Sequence, residues 1–453
     1  MNLSDFITNK GSSIREALKK INKNKKGIIL VVDNEKLVGV ATDGDIRRFI
    51  LNNPINNKID KVINKRFVSA NKNTSREELL KKLDQSVKVI PVLSSKGKIL
   101  EIITSENLPL TKEKSVYFRS RSPVRVSFGG GGTDLTNFFE QYGGAVINAT
   151  LSLFSHASLQ IRKDKKIHIE SKDLNKTLSL NSLNSKTQEV AGFELILSVL
   201  RMIKPEFGFN LFLYSDYPMN SGLGGSAVVV SSIIGCFNQT RLDQWTNKEI
   251  AELSFQAERI HSKISGGWQD QYSTVTGGIN FMEFRSQGNL IHPIKLKQNI
   301  IRELEESLVL CNTGIQHDSG NIHQDQNKNL SKESIISQVK DNKDLSYKMR
   351  EDLLQGNLKD FADKMDQAWH LKRNFSKRIS NKKLDSIYSL AKEAGALGGK
   401  LLGAGGGGFF LFFVPPEKKI KVMQSLISKG LTIQPFIFNQ EGLCSWRVRG
   451  DTK

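Results

Sequence analysis

A glycine-rich loop between a short strand and a long apolar helix most strongly restricts the fold of this 453-residue chain. The predicted strand covers residues 209–214, the loop reads PMNSGLGGSA over residues 218–227, and the helix begins with VVVSSII. Loop amides and a helix N-terminus both direct positive partial charge towards an anion, so this order predicts a phosphate-binding site. The loop does not end in the Gly-Lys-Ser/Thr of a Walker A motif. Ser226 opens the helix, either as a Mg²⁺ ligand or as a capping serine.

A second glycine run follows an apolar strand in the segment SPVRVSFGGGGTD, residues 122–134. Successive glycines let the backbone turn and approach a ligand closely. A helix is predicted to begin near Thr133, and two interpretations of Asp134 stay open. Either Thr133 or Asp134 caps that helix, or the Asp134 carboxylate accepts hydrogen bonds from sugar hydroxyls at the mouth of a cleft.

Two carboxylates stand out between residues 249 and 271. Apolar residues at helical spacing predict a helix around Glu258, and a carboxylate in such a helix is usually part of a surface ion pair. Asp270 follows the break at Gly266-Gly267, and a carboxylate in a glycine-bounded turn can reach into a cleft. Both residues are therefore candidates for catalysis.

The last glycine run, residues 403–408, satisfies the pattern GxGxxG, but nearly any glycine run does so. The apolar strand FFLFFV follows it at residues 409–414, whereas a dinucleotide-binding fingerprint opens a helix. The pattern therefore favours tight backbone packing beside a ligand over a Rossmann fold.

Residues 1–112 contain an internal repeat of about 60 residues. Each copy has the order helix, strand, turn, strand and polar loop. In the first copy the helix is predicted at residues 14–21 and the strands at 27–32 and 37–41. In the second copy the helix begins at Ser75 and the strands cover 87–93 and 99–104. One copy cannot bury its sheet alone, so the two copies are expected to pair.

This order resembles a tandem pair of cystathionine-β-synthase (CBS) domains. In that family a Thr/Ser-x-x-Asp motif at the end of the second strand contacts the ribose of a nucleotide. Thr42 and Asp45 fit the motif in the first copy, and Thr104 and Asn107 match it more weakly in the second. The resemblance makes these four residues candidates for binding a regulatory adenine nucleotide. Alternatively, Thr42 only caps the next helix and Asp45 complements its dipole, in a purely architectural pair.

The four glycine-rich or acidic segments, in this order, resemble the GHMP kinases over about residues 117–450. The phosphate loop and the closing glycine strand carry the resemblance most specifically. Within that superfamily, GGWQDQYSTVTGGINFMEF, CNTGI and GALGGKLLGAGGGGFFLFFVPP are most similar to bacterial D-glycero-D-manno-heptose 7-phosphate kinases. The resemblance implies an α+β chain with a CBS-domain pair at residues 1–112. A two-lobed kinase would follow, with its lobes at residues 117–320 and 321–453.

The resemblance also implies a role for each candidate residue. Asp270 matches the catalytic base, Arg125 the basic position that faces it, and Asp134 the position that binds sugar hydroxyls. Ser226 and Glu258 match the Mg²⁺ ligands. The ATP phosphates are expected at Met219, Asn220, Ser221, Gly222, Leu223, Gly224, Gly225, Ser226 and Ala227. The sugar is expected at Gly131, Gly132, Thr133, Asp134, Gly405 and Gly406. Gly225 departs from the family pattern, since many members have serine there.

The implied reaction is the ATP- and Mg²⁺-dependent phosphorylation of a sugar or sugar phosphate, with heptose 7-phosphate at its anomeric hydroxyl as the leading substrate. A tandem CBS pair also commonly self-associates, so a homodimer is expected. Two alternatives stay open. One is a kinase for another sugar, similar to fucose or galactose, and the other is a catalytically silent nucleotide sensor.

The charge and the cysteines limit the other classes of function. Lys and Arg outnumber Asp and Glu by 66 to 46, and residues 1–112 hold 22 of the basic and 12 of the acidic residues. No aromatic residues interleave with the basic runs, which favours solvated lysines over a nucleic-acid surface. Three scattered cysteines, Cys236, Cys311 and Cys444, exclude a disulfide scaffold or a cysteine-based zinc module.

The N-terminal sequence and the hydropathy lead to an expected location. MNLSDFITNK has no apolar leader, so we expect a cytoplasmic protein. The longest apolar run, residues 409–414, is far shorter than the ~20 residues that span a bilayer, so no membrane partner is expected.

Overall fold

Two structural units follow one another along the chain, residues 1–113 and residues 114–453. In this computed structural model the described residues are 3–84, 87–108, 116–183, 191–315 and 319–449. The predicted end of the CBS pair at residue 112 lies outside them. No helix among these residues is both long and apolar enough to cross a membrane.

The first unit contains two copies of one three-stranded sheet. In each copy the first strand is parallel to the second, and the second is antiparallel to the third. The strands are β1 (Ile7–Asn9), β2 (Ile28–Asp33), β3 (Lys36–Thr42), β4 (Ala70–Asn71), β5 (Ile90–Leu93) and β6 (Ile99–Ile103). The helices are α1 (Ile14–Asn24), α2 (Asp43–Ile50) and α3 (Arg76–Asp84), with 3₁₀ turns at Leu3–Asp5 and Ile59–Lys61.

The two copies bury their sheets against each other, which confirms the predicted repeat. Leu30 and Val40 of the first copy belong to the same apolar cluster as Val89 and Ile102 of the second. The Leu37 amide also donates a 3.1 Å hydrogen bond to the carbonyl of Gly97. Neither copy supplies this cluster alone, so the pair is the stable unit.

An eight-stranded sheet forms the first part of the second unit. Its long strand β8 pairs with β7, β11 and β12. The strands are β7 (Val116–Gly129), β8 (Gly144–Ile161), β9 (Ile167–Ser171), β10 (Lys176–Leu180), β11 (Phe209–Ser215), β12 (Ile279–Phe284), β13 (Leu290–Pro293) and β18 (Cys444–Arg449).

A four-stranded antiparallel sheet forms the rest, in the order β15, β16, β14, β17. Its strands are β14 (Leu308–Asn312), β15 (Gly398–Leu401), β16 (Phe409–Phe413) and β17 (Thr432–Ile433). β14 precedes residue 320, and the last strand, β18, pairs with β7 in the larger sheet. The chain therefore crosses between the two sheets more than once, and a division of the kinase lobes at residue 320 stays a prediction.

The helices of the second unit cover both sheets. They are α4 (Thr136–Tyr142), α5 (Glu194–Ile203), α6 (Gly225–Asn238), α7 (Asn247–Phe255), α8 (Gln269–Thr276), α9 (Gln298–Ser307), α10 (Ser319–Asn329), α11 (Glu333–Gln355), α12 (Leu358–Arg373), α13 (Lys382–Ala394) and α14 (Pro416–Ile427). A π-helical turn, Gln256–His261, continues α7. The apolar helix α6 is buried along most of its length, which explains its sequence without a polar face.

Candidate active site

A buried ion pair joins β7 to the first turn of α8. The Arg125 Nε atom lies 2.8 Å from Oδ1 of Asp270. The Arg125 side chain is only 6% exposed, and that of Asp270 is 21% exposed. The pair predicted from the sequence is therefore formed, and the remaining exposed surface of Asp270 faces a cavity.

Opposing effects act on the pKa of Asp270. Burial alone would raise the pKa, because it disfavours the charged carboxylate. The charge and the hydrogen bond of Arg125 act the other way, with a smaller contribution from the charge of Arg259, and together they hold the pKa below its usual value. Asp270 is therefore ionised at neutral pH and able to accept a proton.

The predicted phosphate loop passes directly over this pair. Gly224 has a φ of 79°, and a Cβ atom built there would lie 3.4 Å from the Arg125 guanidinium carbon and from the Asp270 carboxyl carbon. Arg125 Nη1 also donates a 2.8 Å hydrogen bond to the carbonyl of Gly222. Only glycine combines this conformation with this closeness, so the loop and the ion pair form one arrangement.

A cavity of about 520 Å³ opens beside the loop. Its lining includes Arg125 and Asp270 and, from the predicted nucleotide loop, Met219, Asn220, Ser221, Gly222, Gly224, Gly225 and Ser226. Leu223 and Ala227 are fully buried instead, and their side chains fix the loop and α6 in the core. The volume falls within the usual range for small-molecule sites.

The glycine at position 225 has a local reason. A Cβ atom there would lie 3.1 Å from the ring of Tyr217, which is itself buried. Many family members carry a serine hydroxyl at this position, whereas in this chain the ring of Tyr217 lies beside Gly225. The backbone amide of Gly225 is kept.

The second glycine run turns beside α8. Thr133 and Asp134, which follow its glycines, do not cap α4 as expected. The prediction of a helix from Thr133 was wrong, because α4 begins at Thr136 and Leu135 precedes it without a side-chain cap. The Thr133 hydroxyl accepts a 3.0 Å hydrogen bond from the Ala145 amide and donates to its carbonyl. This exchange holds the turn against β8.

Asp134 lies at the N-terminus of a different helix, α8. Its Oδ2 atom accepts a 3.2 Å hydrogen bond from the amide of Gln269, and its Oδ1 atom accepts one from Gly132. A Cβ atom on Gly267 would lie 1.9 Å from Oδ2, so only glycine there permits this approach. Burial, with a contribution from the charge of Asp270, raises the pKa of Asp134. The structure thus brings Asp134 and Asp270 to one helix end, while sugar binding by Asp134 stays a prediction.

The last glycine run, residues 403–408, packs its backbone closely against the phosphate loop, while the predicted ligand beside it stays a prediction. Phe409 donates its amide to the carbonyl of Ser221 at 3.1 Å. Gly403 and Ala404 line the cavity, whereas Gly405 and Gly406 turn against Ile379, whose carbonyl accepts the Gly406 amide at 2.8 Å. Contact of Gly405 and Gly406 with the sugar stays a prediction.

Of the two predicted magnesium ligands, Ser226 lines the cavity, whereas Glu258 is not among the residues that line it. Glu258 is fully buried, so the interpretation as a surface ion pair was wrong. Its Oε2 atom accepts a 2.6 Å hydrogen bond from Gln271, while Oε1 is buried without a hydrogen-bond partner, 3.7 Å from an Arg259 nitrogen. A buried carboxylate oxygen with free lone pairs is a ligand that Mg²⁺ accepts. Among the described residues, no cluster of three or more acidic, His or Cys side chains forms a metal site.

Several charged residues of the site were missed by the sequence analysis. Arg259 donates to the carbonyls of Ile264 and Gly267 at 3.2 Å and thereby fixes the loop that leads into α8. His323 lines the cavity, and burial, with repulsion from Arg259, lowers its pKa to about 3. Lys372 and Lys400 are buried near Asp134. In the sequence, Lys372 stands out only as a charged residue on the apolar face of a helix, and Lys400 only as a charged residue within an apolar strand.

In the first unit, the predicted nucleotide residues bond to each other. The Thr42 hydroxyl donates a 2.6 Å hydrogen bond to Asp45 and accepts one from the Asp45 amide, which forms a capping box at the start of α2. Thr104 and Asn107 repeat the contact in the second copy, with 2.8 Å between the hydroxyl and Oδ1. The capping role is therefore present in the first copy, whereas no helix begins after Thr104 among the described residues of the second. Nucleotide binding stays a prediction.

Family models agree with this geometry. The GHMP kinases N terminal domain matches residues 194–278, and the GHMP kinases C terminal domain matches residues 349–430. The CBS domain matches residues 5–52 and 59–108. The D-glycero-alpha-D-manno-heptose 7-phosphate kinase of Campylobacter jejuni is 36% identical over 345 residues, which cover 73% of this chain and 99% of the relative. The chain belongs to the GHMP kinases. It is an ATP-dependent sugar kinase that carries a CBS-domain pair ahead of its kinase fold.

Two further relatives of this GHMP kinase illustrate the range of substrates. The crystal structure of a D-glycero-D-manno-heptose 1-phosphate kinase from Bacteroides thetaiotaomicron is 28% identical, with a TM-score of 0.62. It covers 74% of this chain and 100% of its own. The L-fucokinase/L-fucose-1-P guanylyltransferase of Bacteroides fragilis is 25% identical over 63% of this chain and 33% of its own length. Of these three relatives, the two that are matched over 99% and 100% of their own length are heptose phosphate kinases by name.

Proposed function

We propose that this GHMP kinase transfers the γ-phosphoryl group of ATP to the anomeric hydroxyl of a heptose 7-phosphate. The Campylobacter jejuni relative, matched over 99% of its length, is named for that substrate. The observation that carries the proposal is the Arg125–Asp270 pair directly beneath Gly224 of the phosphate loop. An ionised carboxylate next to a phosphate-binding loop is the arrangement that phosphoryl transfer to a hydroxyl requires.

Asp270 accepts the proton of the attacking hydroxyl in this mechanism. The hydroxyl oxygen must then lie about 2.6–3.2 Å from a carboxylate oxygen in the complex. Arg125 keeps Asp270 ionised before the reaction, and its positive charge also offsets the negative charge that develops on the attacking oxygen. Its second hydrogen bond, to the Gly222 carbonyl, fixes the distance between this pair and the phosphate loop.

The amides of residues 219–227 and the N-terminus of α6 hold the β- and γ-phosphates of ATP. Ser226 and Glu258 would hold Mg²⁺, which would neutralise phosphate charge when bound. The Glu258 oxygen without a hydrogen-bond partner supports this assignment. Asp134, which accepts the amide of Gln269 next to the catalytic base, orients the sugar by accepting hydrogen bonds from its hydroxyls.

A coupled ADP-release assay with Mg·ATP over a panel of sugars tests the proposal. The panel contains heptose 7-phosphate, mannose, fucose, galactose and their phosphates, with Asp270→Asn as the control. We expect turnover of heptose 7-phosphate by the wild type and its loss in the variant. If only fucose or galactose were turned over, that sugar would be the substrate and the assignment of heptose 7-phosphate would be wrong. If no sugar of the panel were turned over but ATP still bound, the result would favour a nucleotide sensor.

The CBS pair supports a second proposal, that residues 1–108 regulate the kinase by binding an adenine nucleotide near Asp45. Regulation requires that the nucleotide bind two states of the enzyme with different affinity. The test is calorimetry and turnover of the full chain with AMP, ADP and ATP. Asp45→Ala is compared with Asp43→Ala, which removes an exposed pair with Arg47 on the same helix. Heat and altered turnover that only Asp45→Ala abolishes support regulation, and their absence leaves the pair architectural.

We further propose a homodimer formed by the CBS pair, and a cytoplasmic enzyme that depends on Mg²⁺. Light scattering of the full chain measures the mass in solution, and a monomer at micromolar concentration would contradict the dimer. Unchanged turnover after treatment with a metal chelator would contradict the requirement for Mg²⁺.

A further inference from the structure

Two lysines lie buried near the active site without a carboxylate partner among the described residues. Lys372, on α12, is 5% exposed, and Lys400, on β15, is 1% exposed. The Lys372 ammonium group donates a hydrogen bond to the carbonyl of Gly403. For the Lys400 ammonium group, no hydrogen bond or ion pair is found in the described part of the chain. Burial of an unpaired ammonium group is unfavourable, and an anionic ligand would remove that cost.

The nearest carboxylates are already engaged. Asp134 accepts hydrogen bonds from the amides of Gly132 and Gln269, and Asp270 is paired with Arg125. Both carboxylates act on Lys372, and Asp134 acts on Lys400, only as charges at longer range. Neither can therefore serve as the partner that the lysines lack.

The buried charged cluster contains three cations, Lys372, Lys400 and Arg125, and only two carboxylates, those of Asp134 and Asp270. Burial lowers the pKa of Lys372 to about 8, with repulsion from Arg125 as the next cause. Burial, followed by repulsion from Lys372 and Arg125, lowers the pKa of Lys400 strongly. The three cations thus repel one another, while the raised pKa of Asp134 weakens its compensating charge. A dianion would stabilise all three cations at once.

The Lys372 ammonium group lies beside the turn that is predicted to bind the sugar. A Cβ atom on Gly131 would lie 3.5 Å from the Lys372 ammonium nitrogen. Gly131 belongs to the turn that also carries Asp134, whereas the phosphate loop contacts Arg125 through Gly222 and Gly224. Lys372 therefore lies between the Gly131 turn and Gly403, which packs against Gly222 of the phosphate loop.

We propose that Lys372 and Lys400 bind the phosphate group that the sugar substrate already carries before the reaction. The inference rests on the proposed function, and it adds a specificity site for a phosphorylated sugar over a neutral one. Two charged hydrogen-bond donors in a buried position are worth about 100-fold or more in discrimination.

Lys400→Met and Lys372→Met test the proposal, since each removes the charge and keeps a side chain of similar length. Lys343→Met is the matched control, because Lys343 also donates to a backbone carbonyl, that of Tyr142, from the neighbouring helix α11. Values of kcat/KM are measured for heptose 7-phosphate and for the unphosphorylated heptose, together with KM for ATP. Calorimetry of heptose 7-phosphate without ATP measures binding separately from turnover.

We expect kcat/KM for the sugar phosphate to fall about 100-fold in both variants. Activity on the unphosphorylated heptose and KM for ATP should change less than about threefold. Lys400→Met should also leave the thermal unfolding temperature unchanged or higher, since it removes an unpaired buried charge. Equal losses on both sugars, a raised KM for ATP, or undiminished heptose 7-phosphate binding by both variants would overturn the proposal. A wild-type enzyme that uses only unphosphorylated sugars would instead refute the proposed substrate.

Discussion

Removal of the Arg125 charge should change the pH at which the kinase works. In Arg125→Met a side chain of similar length remains, but Asp270 loses both the charge and the 2.8 Å hydrogen bond that favour its ionised form. Burial, which raises the pKa of Asp270, then dominates. The carboxylate must be ionised to accept a proton, so the variant should lose activity at a higher pH than the wild type.

The size of the effect follows from the contact. An opposite charge in direct contact lowers a carboxylate pKa by about 1–3 units, and here burial opposes the arginine. We therefore expect the acidic limb of kcat/KM against pH to move up by at least about one unit. Each unit is a tenfold loss of activity at a pH below both pKa values. Because kcat/KM reports the free enzyme, the limb tracks Asp270 before substrate binds.

ADP release, quantified after quenching at values between about pH 3 and pH 9, measures the shift, because the wild-type limb lies below the usual carboxyl pKa. Arg121→Met is the matched control, since Arg121 lies on the same strand and forms an exposed pair with Glu441. Its acidic limb should coincide with that of the wild type. A limb for Arg125→Met that does not move would refute the assignment of Arg125 as the group that keeps Asp270 ionised. A uniform loss at every pH would likewise contradict it.

Two further variants test the metal site and the loop. Glu258→Gln should raise the Mg²⁺ concentration that gives the half-maximal rate on the order of 10-fold, because one ligand charge is lost. The control is Glu252→Gln, at an exposed residue. An unchanged Mg²⁺ requirement in Glu258→Gln would remove Glu258 from the metal site. Gly224→Ala should lower the free energy of unfolding, measured in urea, by about 1–2 kcal/mol, because φ is 79° at this position. The same variant should lower kcat on the order of 100-fold, because the loop moves away from the ion pair. Wild-type turnover in that variant would show that the loop tolerates displacement.

The sequence predicted the parts of the fold whose signals are local. The strand, loop and helix around residues 209–238 and the two CBS copies follow directly from apolar periodicity and glycine position. Asp270 and Glu258 were singled out because each lies within or beside such a segment, whereas Arg125 and the role of each residue came from the resemblance to the GHMP kinases. The start of α4 was misplaced by three residues, because the Thr133 hydroxyl binds Ala145 across the turn instead of capping the helix.

The missed residues reach the site from distant elements. Lys372 occupies the buried face of α12 together with Phe361, Met365 and Ala368, at spacings of three and four residues. Lys400 interrupts the buried strand β15. A charged residue in either pattern is a signal for a ligand or a partner. The direction in which it points depends on how β15 and α12 meet the Gly131 turn, and that is a tertiary contact without a local pattern.

Asp270→Asn tests the central claim most directly. The change keeps the shape of the side chain but removes the proton acceptor, and the nucleotide loop does not depend on it. Turnover by the coupled assay and ATP binding by calorimetry are measured on the same preparation. The account predicts a loss of several orders of magnitude in kcat, with an ATP affinity within about threefold of the wild type. Near-normal turnover would contradict the role of Asp270 as the catalytic base.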